Sequence, residues 1–336
     1  MDRASTPSER VNVNVSGIFF LKTSIFYYMH FWFFLSLAAP FLWAIANHID
    51  KYLLSKHFEG NGIGAIFLFS TIFSVVVPPI IFCIKPEIVS GITPADMLLL
   101  IGIGAIGAIA FLLYLHALDI EESSVVVPLL QMIPVFGYFL GYLILGETLN
   151  MMQIVAAAIV ILGVVVLSLE LEGDQKMRIK RKVLLLTASA SFLFALQETG
   201  FKSVAIRDGF MQSVFWQYLG LTCVGIICFL CIPKYRNEFT NMFKTKLSLV
   251  LTLNISTEVL YILGNICSSM AALLAPVAIV LVVSSYQPMF VFVGGTLLTM
   301  FLPKIATEKI SPRHLLQKIV AILIILLGSC LIYYYS

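Results

Sequence analysis

Residues 131–167 read QMIPVFGYFLGYLILGETLNMMQIVAAAIVILGVVVL, and residues 285–328 read SYQPMFVFVGGTLLTMFLPKIATEKISPRHLLQKIVAILIILLG. Each stretch carries a proline inside an apolar helix (Pro134, Pro288), then a glutamate (Glu147, Glu308), then a second apolar span. This is an internal repeat, and it extends upstream. Setting 42–51 against 193–202 aligns LWAIANHIDK with LFALQETGFK at an offset of 151, which brings Lys51 onto Lys202. Pro134 and Pro288 are offset by 154, as are Ala117 and Ala271. Near-constant offsets, 151 and 154, over about ninety residues mark two copies of one unit.

Composition sets the solvent. The chain is 60% hydrophobic and only 12% charged, against about 25% charged in soluble domains. Crossing a bilayer takes a run of about 20 apolar residues, and ten such runs follow one another at 31–54, 62–84, 95–118, 123–146, 151–171, 183–204, 211–233, 247–272, 275–302 and 313–335. The expectation is an all-α integral membrane protein of ten transmembrane helices. The longest polar connections, 172–182 and 234–246, are too short to hold a soluble domain. All six cysteines fall in apolar spans and read as packing residues, the pair Cys228 and Cys231 included. No metal site or cofactor is expected, and a net charge of +3 spread through loops gives nucleic-acid binding no support.

The organisation is then a polar tail 1–30, a first repeat 31–171, a basic linker 172–182 and a second repeat 183–335. Five crossings per copy is an odd number, so the second copy enters the membrane from the opposite side. The two halves form an inverted-topology pair, an architecture in which the site lies at the repeat interface near the midplane.

The segment 117–167, ALDIEESSVVVPLLQMIPVFGYFLGYLILGETLNMMQIVAAAIVILGVVVL, resembles the C-terminal part of an EamA domain of the drug/metabolite transporter superfamily. It shares the family's proline, Gly-Glu pair (Gly146, Glu147) and closing Gly-Val pattern. FLWAIANHIDK at 41–51 is similar to the family's first helix, with Trp43-Ala44 where Trp-Gly is usual. The resemblance covers 31–335 as two tandem domains, the second degenerate, with Thr307 before Glu308. It implies a ten-helix transporter of small organic metabolites, often an exporter, without a tightly bound cofactor, and names no substrate.

Ionisable residues inside a span are expensive and mark function by default. Glu258 is the sharpest case, about eleven residues or roughly 17 Å into its helix. Asn254, Glu258, Tyr261 and Asn265 recur at spacings of four, three and four, which makes one polar stripe. That stripe is either a cavity wall with Glu258 carrying a proton or cation, or a buried neutral carboxyl held by the two asparagines. Asn47, Gln197 and Glu198 lie in the last third of their spans, where snorkelling lowers the cost. Glu198 and Lys202 stand at i and i+4, the spacing of a surface ion pair. Trp216, Gln217 and Tyr218 open a span, and Trp216 reads as an interface anchor. Ser285 and Gln287 flank Pro288, where a proline frees a backbone carbonyl and a polar cluster must face a cavity or another helix. Pro40, Pro134 and Pro288 are candidate hinges. Glu147 reads as a cap of the helix that follows it, and Gly102, Gly104 and Gly107 as packing positions.

These features favour a secondary transporter, with a small-molecule substrate, in the cell (inner or plasma) membrane, working as a monomer or homodimer in the lipid bilayer. An intramembrane enzyme such as a lipid-linked transferase would need convergent ligand or nucleophile spacings that no span shows, and a non-transporting scaffold would leave the repeat unexplained. The positive-inside rule puts both termini outside the cytoplasm, whereas the family commonly has them inside.

Overall fold

The structure is a computed structural model of the chain and describes residues 31–49, 52, 62–89, 91–120, 126, 129–168, 181–242, 247–301 and 312–335. The tail 1–30, Asp50, Lys51, Pro128, Thr307, Glu308 and most of the linker 172–182 lie outside those residues. Among the described residues there is no strand. The first half runs through α1 Phe31–Ile49, α2 Ile63–Ile84, α3 Pro94–Ile120, α4 Met132–Leu145 and α5 Met151–Ser168. The second runs through α6 Arg181–Asp208, α7 Phe210–Cys231, α8 Pro233–Met242, α9 Leu247–Leu274, α10 Val277–Phe301 and α11 Pro312–Tyr335. Eight of these helices are long and apolar enough to cross a membrane, and α4 and α5 are shorter apolar helices. This is a multi-pass membrane protein.

A helix stands at each of the ten expected positions, and α8 is an addition. The sequence around 234–246 reads as a polar connection, yet Tyr235 and Phe239, one turn apart, pack on Phe67 of α2 and Phe229 of α7. Burial pushes the Tyr235 phenol above its ordinary value. On the same helix, Glu238 accepts the backbone N–H of Gly64 at 2.8 Å and so caps the first turn of α2.

Both repeated prolines sit just past a break rather than in the middle of a helix. Leu130 and Gln131 form a turn before Met132, where Ile133 N–H bonds Leu130 O at 2.9 Å. Ser285 and Tyr286 do the same inside α10, with Met289 N–H on Tyr286 O at 2.9 Å. A proline cannot donate to the carbonyl four residues back and its ring clashes with it, so the helix gives way one turn earlier. Pro134 and Pro288 thus occupy the first turn of the segment that follows, while Pro40 is buried within an unbroken α1.

Small residues let the helices meet backbone to backbone. A Cβ on Gly104 of α3 would run into Gln217 O of α7, and one on Gly220 of α7 into Ile101 O of α3. Gly163 of α5 faces Ile325 N of α11 and Gly328 of α11 faces Val160 N, both at 3.0 Å from the missing Cβ. Around these contacts α3 lies on α6 and α7, α4 on α6 and the first part of α10, α2 on α7, and α9 on α6. Across from them α1 meets α9 through Trp43 over Gly264, and α10 through Phe41 on Phe290 and His48 against Gly294.

Gly104→Ala is expected to lower stability by about 1–3 kcal/mol, the usual cost of overpacking, whereas Gly102→Ala, with nothing within 4 Å of its Cβ, stays near wild type. Thermal unfolding of the two detergent-purified variants separates them.

Candidate functional site

One face of α9 collects polar groups from four other helices. Glu258, buried at 8% exposure, accepts a hydrogen bond from the Ser70 hydroxyl of α2. One turn on, the Tyr261 hydroxyl donates to Asn47 Oδ1 of α1 at 2.7 Å. A further turn on, Asn265 faces the Tyr218 hydroxyl of α7 without reaching hydrogen-bond geometry. Then Ser269 donates to Glu198 Oε2 of α6 at 3.3 Å. The stripe that the sequence marks on α9 is therefore the seam along which α1 and α2 of the first half meet α6, α7 and α9 of the second.

Two expectations change here. Glu198 is not near the end of its helix: α6 continues to Asp208, ten residues or about 15 Å further, so snorkelling does not reach water. Glu198 is half-buried. Trp216, the expected interface anchor, is half-buried with its indole N–H enclosed, and its neighbours Tyr218 and Gln217 face the interior. α7 begins at Phe210, and both side chains are buried, at 6% and 7% exposure.

The remaining candidates go elsewhere. Gln197 lies against Gly107 of α3. Ser285 donates to Leu281 O of its own helix at 2.9 Å, and Gln287 opens the second segment of α10. Asn254 stands one turn before Glu258 on α9. Ser70, Tyr218 and Ser269 are the site residues that the sequence reading missed. Each stands beside one other polar residue (Thr71, Gln217, Ser268) in an otherwise apolar run, and only the packing of α2, α7 and α9 brings them to the carboxylates.

A second polar assembly joins the halves. Lys202 does not pair with Glu198; its buried ammonium meets Glu147 and donates to Ala275 O at 2.7 Å. Glu147 also accepts the backbone N–H of Val277 at 2.8 Å, so it caps α10 in the other half and not α5, the helix that follows it. α5 is capped by Asn150 and Gln153, each accepting the other's backbone N–H, at 2.8 and 2.9 Å. The Gly-Glu pair explains how Glu147 gets there. Gly146 takes a left-handed φ of 67° after the turn of π-helix at Gly141–Leu145, a conformation natural only to glycine, and the reversal sends the next side chain back across the helix end.

The comparisons with known proteins agree with this architecture. Residues 30–169 match the EamA-like transporter family. No curated protein matches the chain. A solved structure described only as a crystal structure of a protein shares 15% identity with a TM-score of 0.59, covering 91% of this chain and 99% of its own. At that identity the likeness is one of fold, and it spans both halves. The EamA resemblance read from 117–167 is thus matched across the first half.

Removing either partner of the Glu147–Lys202 pair strands a buried charge, at a cost of about 3–5 kcal/mol. Glu147→Gln and Lys202→Met should each lower the unfolding temperature in detergent sharply, and the double variant should recover part of the loss.

Proposed function

We propose that the chain is a secondary transporter that moves a small organic metabolite by alternating access between two inverted five-helix halves, in exchange for protons through Glu258. It works as an exporter or exchanger in the cell membrane. The observation that carries this reading is the polar seam on α9. Carboxylates and amides at membrane depth are retained where they line a pathway, and this seam draws its residues from both halves.

The packing supports the repeat. Exchanging α1 with α6, α2 with α7, α3 with α9, α4 with α10 and α5 with α11 turns the α3–α6 contact into α9–α1 and the α4–α6 contact into α10–α1. The same exchange leaves the α2–α7 and α5–α11 pairs as they are. A pseudo-two-fold relation of this kind is what inverted repeats produce. A break stands just before each repeated proline, at Leu130–Gln131 ahead of α4 and at Ser285–Tyr286 inside α10, and broken helices of this kind recur in transporters. One chain supplies the whole seam, so a monomer suffices for the path.

Proteoliposomes loaded with a mixed metabolite extract, with and without an imposed pH gradient, test the reading. The wild-type protein should shift specific metabolites across the membrane in a gradient-dependent way, and Glu258→Gln should reduce that shift to the level of protein-free vesicles. Gradient-dependent movement that persists in Glu258→Gln would remove Glu258 from the mechanism.

A further inference from the structure

The seam has a second carboxylate, and its surroundings specify a ligand. Glu198 of α6, Tyr218 of α7 and Asn265 of α9 stand ten, eight and nine residues from the neighbouring ends of their helices, at Asp208, Phe210 and Leu274. At a rise of about 1.5 Å per residue Glu198 and Tyr218 stand roughly 12–15 Å from the turn that joins α6 to α7, and Asn265 stands one turn before Ser269, the residue that bonds Glu198. The Tyr218 hydroxyl has no hydrogen-bond partner although the residue is only 6% exposed. It lies within electrostatic reach of Glu198 and beside Asn265. Leaving a buried hydroxyl unpaired carries a desolvation penalty that native proteins avoid, so its geometry is suited to a group that arrives from outside.

The charge of that group follows from what surrounds Glu198. The cation nearest in sequence, Lys202, sits one turn along α6 but is committed to Glu147 and Ala275 O. Among the described residues no ion pair reaches Glu198, and its hydrogen bond comes from a neutral hydroxyl, that of Ser269. A carboxylate, a phenol and an amide stand close to one another on three helices, and each carries an oxygen able to accept a hydrogen bond. A protonated primary amine carries three N–H donors and one positive charge, and so satisfies all three acceptors and neutralises the carboxylate. A quaternary ammonium has the charge without the donors.

We propose that Glu198, Tyr218 and Asn265 form the subsite for the ammonium group of a primary-amine substrate. This rests on the transporter reading and makes it more specific: Glu198 holds the substrate's charge, while Glu258, about 16 Å further along α9 from Ser269 at about 1.5 Å per residue, is the separate protonatable group. Tyr218 selects for N–H donors over other cations.

The test is ligand-induced thermal stabilisation of the full chain purified in detergent. The probes are 2-phenylethylammonium, its N,N,N-trimethyl analogue, 2-phenylethanol and 3-phenylpropionate, each at equal concentration in the same salt. Saturable stabilisation by the primary ammonium alone is expected, lost in Glu198→Gln and weakened several-fold in Tyr218→Phe, which removes one oxygen and preserves the ring. If Glu198→Gln does not fold, Tyr218→Phe and Asn265→Leu carry the comparison. Equal stabilisation by the alcohol or the carboxylate, equal binding of the trimethyl analogue, or unchanged binding in the variants overturns the subsite. The metabolite exchange assay reports separately: gradient-driven movement of compounds without an amine leaves the transporter standing and the subsite refuted, whereas absence of all movement refutes transport whatever the binding result.

Discussion

The buried pair of Glu147 and Lys202 is the contact on which the arrangement of the two halves depends. A lone ammonium on α6 or a lone carboxylate at the end of α4 would be intolerable at this depth. Together they neutralise each other, and each then uses its remaining hydrogen-bonding capacity on the junction of α9 and α10, through Ala275 O and the Val277 N–H. One ion pair thereby fixes three places in the chain: the α4–α5 turn, the middle of the α6 surface and the start of α10. Gly146 is a condition of this, because its left-handed turn is what aims Glu147 backwards.

Glu238 repeats the principle in the other direction. From α8 in the second half it caps the first turn of α2 in the first half, as Glu147 from the first half caps α10 in the second. The orphan N–H groups at a helix start attract a carboxylate, and here the carboxylate is lent by the opposite half. Each of these two helix starts therefore takes its cap from a residue far away in the chain. Between these two fastenings runs the α9 seam, where Glu258 and Glu198 are each held by a neutral hydroxyl, from Ser70 and Ser269.

Much of the architecture is legible without coordinates because hydrophobic runs of membrane-crossing length have few alternative structures. The α9 stripe is legible too, because polar residues at helical spacing in an apolar helix declare a common face. Other features are not. The spacing of Glu198 and Lys202 looks like a local ion pair, and a helical i, i+4 relation is only an opportunity; the competing partner, Glu147, is 55 positions away in the chain. Gln217 and Tyr218 stand beside the aromatic Trp216 in the first third of their span, and only the packing of α7 shows that both point inside. α8 is hidden because its composition is polar and its two aromatic anchors, Tyr235 and Phe239, acquire meaning only against Phe67 and Phe229.

By itself the sequence determined the solvent, the helical class, the EamA likeness and the residues of one polar stripe. These are consequences of composition and periodicity, which act locally along the chain. The tertiary structure decided which polar groups meet: Glu198 with Ser269, Glu258 with Ser70, Lys202 with Glu147. Those pairings join helices far apart in sequence, and in an apolar medium a polar side chain is defined by the partner that packing brings to it.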